Sequence, residues 1–158
     1  MNVDAAFNCS SGKVGIGIVV RNSAGLLVCA AGLSSCLATS TAIAKAKAIL
    51  MGAQFAVKKG LSPVCIVSDA LKVVNMCNDS SPSRCDLSNI IHDIKVICNC
   101  DNFDSYSYNP RSSNMVAHCI AKWALVHCSS TVWESVFPSW LRDCSDTDVS
   151  IFFGPGGA

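Results

Sequence analysis

The sequence predicts an α/β domain whose mixed sheet begins with three antiparallel strands and continues with two parallel ones, flanked by helices. Three observations carry this. Residues 3–33 hold three apolar runs joined by short turn sequences, the pattern of an antiparallel meander. Residues 42–59 are alanine-rich, free of proline, and place Ile49, Ala53, Ala56 and Val57 at helical spacing. The short apolar run Val64 to Ser68 follows, as for a strand buried on both faces. Strand, helix and strand in that order imply a parallel crossover.

Taken in order, Val3 to Phe7 reads as the first strand and Lys13 to Arg21, with glycines at 15 and 17, as the second. Asn22, Ser23, Ala24 and Gly25 supply turn chemistry before a third strand, Leu26 to Leu33. Thr39, Ser40 and Thr41 all suit the N-cap of the first helix, and Gly60 closes it with Pro63 just beyond. Ala70 to Cys77 reads as a short helix, Asn78 to Arg84 as a loop, and Leu87 to Cys98 as a helix carrying Ile90, Ile91, Ile94 and Ile97. Phe103 to Tyr108 alternates like a half-exposed strand; after a loop, Met115 to Val126 is the last core helix. Composition shifts at Ser129, so the chain divides into a domain of residues 1–128 and an extension of residues 129–158. Trp133, Phe137 and Trp140 are spaced like one helical face interrupted by Pro138, which suggests an extension docked over a groove. The glycine-rich end, 154–158, is expected to be disordered.

At 158 residues and 51% hydrophobic content the chain has enough for a sizeable core. A net charge of +1 means that nucleic-acid contact has to come from a local basic patch. The apolar runs are too short to span a bilayer, and the start shows no secretory pattern; no membrane association is expected. Eleven cysteines in irregular spacing, several inside apolar runs (Cys29, Cys65, Cys98, Cys119), read as reduced core thiols in an intracellular compartment, nuclear or cytoplasmic. Cys98 and Cys100 form a Cys-x-Cys pair, but no second pair completes a zinc site.

Asp4 lies in the first strand and Asp69 ends the fourth, Lys45 lies on the intervening helix, and His118 lies on the last core helix. Two carboxylates at strand ends point to a divalent-metal site, because hard cations need anionic oxygens. Lys45, four residues before Ile49, extends the helix's inward stripe, whereas Lys47 points elsewhere. Plainer roles stand beside these. Asp69 suits a cap for the helix starting at Ala70, His118 suits a hydrogen-bonded structural histidine, and Lys58 and Lys59 suit a solvated helix end. His92 and His127 receive no role.

Several words of the sequence occur together in order: residues 2–7 (Asn-Val-Asp-Ala-Ala-Phe), 15–22 (Gly-Ile-Gly-Ile-Val-Val-Arg-Asn), 60–70 (Gly-Leu-Ser-Pro-Val-Cys-Ile-Val-Ser-Asp-Ala), 110–118 (Pro-Arg-Ser-Ser-Asn-Met-Val-Ala-His) and the tail pattern around Trp133 and Trp140. With these the chain resembles the reverse-transcriptase-like ribonuclease H domains common in plants. The resemblance implies a ribonuclease H-like fold with a five-stranded mixed sheet, the first strand in its centre. It implies hydrolysis of the RNA strand of an RNA–DNA hybrid by two magnesium (Mg2+) ions about 4 Å apart. It makes Asp4 and Asp69 the catalytic carboxylates and metal ligands. It puts Lys45 where the family has glutamate, and His118 where it has a final aspartate and many relatives have histidine. An ammonium at 45 offers a metal no lone pair and repels it, so the expectation is a weak or absent magnesium site in which Lys45 pairs with Asp4 or Asp69. Relatives continue the first strand upstream, so this domain is expected to be N-terminally short, with marginal stability.

Three functions follow: a nuclease with damaged metal ligation, a nucleic-acid-binding module, or an interaction domain without a ligand. For the second, Lys13, Lys45, Arg111, Ser112, Ser113 and Asn114 are the candidate contacts to an RNA–DNA hybrid or RNA. No small-molecule cofactor is expected, and a monomer is.

Overall fold

Turn chemistry folds the first 37 residues into the expected meander: β1 (Asn2–Phe7), β2 (Lys13–Arg21) and β3 (Leu27–Leu37). The computed structural model describes residues 1–81, 85–99 and 102–153. At the β2–β3 turn the Asn22 Oδ1 accepts the N–H groups of Ala24 and Leu26, both at 3.0 Å, and Gly25 takes φ +79°. Then come α1 (Thr41–Lys59), β4 (Val64–Ser68), α2 (Leu71–Asn78), α3 (Ser88–Cys98) and β5 (Phe103–Tyr108). A 3-10 turn (Arg111–Ser113) leads into α4 (Met115–His127), β6 (Thr131–Trp133) and α5 (Ser139–Phe153). The sheet order is β5-β4-β1-β2-β3-β6, so β1 is interior, antiparallel to β2 and parallel to β4.

Among the three cap candidates Ser40 is the one used, its Oγ accepting the Ile43 N–H at 3.2 Å. Gly60 ends α1 in the left-handed conformation at φ +64°, returning its N–H to the last turn. One sheet face carries α1 with α2 and α3 over Val3, Ile16, Ile18, Ile49, Ile66 and Ile94. The other carries α4, which lies across β1 and β2. The two β2 glycines make this second packing possible. A Cβ on Gly17 would lie 1.9 Å from the Ala117 carbonyl oxygen, and one on Gly15 would lie 2.1 Å from that of Ala121. No side chain fits there, so α4 rests on bare backbone and brings His118, next to Ala117, down to the sheet.

Three expectations change. The sheet has six strands, because Thr131–Trp133 pairs antiparallel with Ala30, Ala31 and Gly32 of β3; three residues are too few to display a period of two. Trp133, Phe137 and Trp140 are not one helical face. Trp133 lies on β6 and Trp140 on α5, which starts just after Pro138, where a missing N–H costs nothing. All three still pack on Val19, Ala30, Ile120 and Leu141, and Trp123 meets Trp133 edge-on at 5.2 Å and stacks with Trp140 at 6.2 Å. Asp69 does not cap α2: the Ala70 N–H goes to the Ser68 Oγ at 3.2 Å, and α2 begins at Leu71 without a side-chain cap.

Cys29 and Cys77 are buried free thiols; burial pushes both up, Cys77 to about 12. Cys65, Cys98 and Cys119 are half-buried. Cys100, Pro82, Ser83, Arg84 and residues 154–158 lie outside the described residues. No helix among those described is long and apolar enough to cross a membrane.

Candidate active-site cleft

The register places Asp4 opposite Gly17, on the side of β1 that α4 approaches. Its carboxylate is fully buried, which demands that every lone-pair direction be matched. Oδ1 accepts the N–H of Ala5 at 2.7 Å and a proton from the Lys45 ammonium. Oδ2 accepts from the His118 Nδ1 at 2.8 Å. The Lys45 ammonium also donates to the Asp69 Oδ1 at 2.7 Å. Asp69 lies one residue past β4, so the ammonium bridges the middle of β1 and the end of the neighbouring β4. Attraction between such charges is on the order of several kcal/mol at an effective dielectric of about 20.

His118 has a fixed tautomer. Its Nε2 is 2.9 Å from an Arg111 guanidinium nitrogen, which can only donate, so Nε2 accepts and Nδ1 carries the proton given to Asp4. The chain Arg111–His118–Asp4–Lys45–Asp69 is thus one continuous network joining the 3-10 turn, α4, β1, α1 and the end of β4.

The residues do not fit a magnesium pair. Both Asp4 oxygens are engaged by N–H donors, Lys45 supplies no lone pair, and the described residues contain no group of three or more His, Cys, Asp or Glu that could hold a metal. Asp4 and Asp69 are brought together, but around an ammonium.

The remaining expected contacts separate. Arg111 lines the cleft, and Ser112 is exposed beside it on the 3-10 turn. Asn114 is turned inward and 1% exposed: its Nδ2 donates to the Val3 carbonyl at 3.0 Å and its Oδ1 accepts from the Asn2 amide at 3.0 Å. It holds α4 to β1, buried and turned away from solvent, where the expected role was a phosphate contact. Ser113 caps its own turn through its N–H. Lys13 is exposed beside Cys128 at the far end of α4, its Nζ 3.9 Å from that sulfur, so it does not join the cleft. Lys47 donates to the Leu37 carbonyl, and Lys59 pairs with Glu134. Sequence reasoning missed Lys122 and Thr41, which also line the cleft of about 330 Å³. Lys122 had a readable signal, since it stands four residues after His118 on the same face of α4.

Element order, central β1 and two helical layers define a ribonuclease H-like domain. The reverse transcriptase-like family model matches residues 2–124, and the chain belongs to that family. No curated protein matches the sequence significantly. Solved structures agree in fold. RNase H1 of the archaeon Halobacterium salinarum superposes with a TM-score of 0.70 at 19% identity, covering 81% of this chain and 96% of its own. The N-terminal RNase H domain of a Mycobacterium tuberculosis protein gives 0.66 at 20% identity, covering 79% and 91%. LC11-RNase H1, solved in complex with an RNA/DNA hybrid, gives 0.68 at 16% identity, covering 80% and 96%.

Proposed function

We propose that this chain is a nucleic-acid-binding domain of the ribonuclease H type that takes an RNA–DNA hybrid or RNA and does not hydrolyse it efficiently. The observation that carries the reading is the Lys45 ammonium bonded to both Asp4 and Asp69, where the family resemblance puts a glutamate and two magnesium ions. Hybrid binding is supported by the fold shared with LC11-RNase H1 and by the basic side chains of Arg111 and Lys122 on the cleft. Cleavage by water needs a cation to activate the nucleophile and stabilise the departing oxygen. Here a fixed ammonium neutralises the acids instead, without the lone-pair exchange that such a step requires.

The test combines binding and cleavage. Fluorescence anisotropy with a labelled hybrid in EDTA at low salt should show association that weakens steeply as salt rises, by about 0.9 in log–log slope per phosphate neutralised. With Mg2+ or Mn2+ the chain should leave the hybrid intact, while Lys45→Glu gains cleavage. Magnesium-dependent cleavage by the unaltered chain, lost in Asp69→Asn, overturns the reading. So does absence of binding at low salt, which points to an interaction domain.

A further inference from the structure

The cleft's charge is unevenly divided. Lys45 faces two carboxylates and is only 13% exposed, so little of its charge reaches a ligand. Arg111 is exposed, and its contact on the cleft is a neutral imidazole, which cancels none of its charge. Lys122 is exposed and has no ion-pair partner among the described residues. The unbalanced positive charge of the cleft therefore lies on the α4 side, away from the aspartates.

The same side also has an apolar wall. Leu125 and Val126 continue the face of α4 that carries His118 and Lys122, and Val126 is 76% exposed. A cation pair beside an uncovered aliphatic surface matches a ligand with an anionic end and a flat, apolar-faced end. The cleft volume of about 330 Å³ sits at the small end of ligand sites, which run from about 300 to 1,000 Å³. That is room for one nucleotide of a strand whose remainder lies outside the cleft.

We infer that the α4 side of this cleft is a seat for a single nucleotide unit of nucleic acid, its phosphate between Arg111 and Lys122 and its base against Leu125 and Val126. The inference rests on the nucleic-acid reading above and sharpens it: a strand end or an unpaired nucleotide enters the cleft, and Lys122 is a binding residue in its own right. Because Lys45 already holds Asp4 and Asp69, the seat needs no metal. His118 limits the approach, since its Nε2 accepts from Arg111 and keeps that guanidinium at the rim.

Amide NMR titrations of the whole chain in EDTA, with adenosine monophosphate, inorganic phosphate and adenosine as probes, test this. The monophosphate should bind at least about fivefold more tightly than phosphate or adenosine, since only it uses both halves of the seat. Lys122→Ala should weaken monophosphate and phosphate alike by about three- to tenfold. Val126→Ser should weaken the monophosphate by about threefold and leave phosphate unchanged. Both positions are exposed, so neither variant threatens the fold. Equal affinity for phosphate and monophosphate overturns the seat and leaves an anion site. No effect of Lys122→Ala, with hybrid binding intact, overturns the seat while the broader reading stands. Monophosphate binding without hybrid binding supports the seat and defeats the broader reading; silence with every probe and with the hybrid defeats both.

Discussion

Lys45 and Lys122 line one cleft, yet the first is enclosed by two carboxylates and the second reaches solvent with no ion-pair partner among the described residues. The difference is set by which element carries each lysine. Lys45 sits on α1, whose approach to β1 is tight enough that a Cβ on Gly52 would lie 2.7 Å from a Val3 methyl. Its ammonium reaches in to Asp4 within β1 and to Asp69 just past β4. Lys122 sits one turn beyond His118 on α4, exposed at the side of the helix that lines the cleft. The same chemical group is thus a structural counter-charge in one place and a candidate ligand contact in the other. A cleft's formal charge says little until each cation is assigned its anion.

The largest effect should come from breaking the enclosed half. Lys45→Ala leaves Asp4 and Asp69 facing each other without a cation, and removing one partner of a buried pair costs about 3–5 kcal/mol. Urea unfolding should show that loss, and millimolar magnesium should recover part of it, because an ion that binds only the folded state stabilises it by mass action. An unchanged midpoint would mean that the ammonium is not the counter-charge of the two acids.

A second variant tests how the two halves are held in one cleft. Gly17→Ala puts a methyl into the Ala117 carbonyl, which α4 can avoid only by lifting from the sheet. The expected cost is about 1–3 kcal/mol. Lifting α4 also separates the His118 Nδ1 from Asp4, so ring ¹⁵N shifts should report loss of the fixed tautomer. A destabilised variant with an unchanged imidazole would show that α4 holds its place independently of the glycine.

How much of this was readable beforehand follows from the same geometry. Asp4, Lys45, Asp69 and His118 were legible as a set because strand order, helix period and family words fix them at the backbone level. The convergence of the first three needs only the crossover from the β1–β3 meander through α1 to β4, which lies beside β1. The orientation of Asn114 was not legible. It depends on the 3-10 turn that rotates its amide inward toward Val3 and Asn2. Nor was the sixth strand, since Thr131–Trp133 becomes a strand only because β3 offers an open edge there. Lys122 was overlooked for a different reason. Its helical phase was visible, but the reach of the cleft along α4 as far as Val126 depends on how α1 and α4 flank β1 in three dimensions.

The smallest effect should come from the open half, and it completes the comparison. Lys122→Ala removes a cation from the same cleft, yet no buried carboxylate loses its partner. Stability should therefore change by no more than about 0.5 kcal/mol, the range for surface positions outside any network. The salt dependence of hybrid binding should fall by about one phosphate's worth in slope, because one counterion release is lost. Lys45→Ala and Lys122→Ala measured side by side then divide the two roles cleanly, one reading out in the unfolding midpoint and the other in the salt slope. If Lys122→Ala destabilised the fold as much as Lys45→Ala, Lys122 would belong to a structural network too, and only Arg111 would be left on the cleft to attract a nucleic acid.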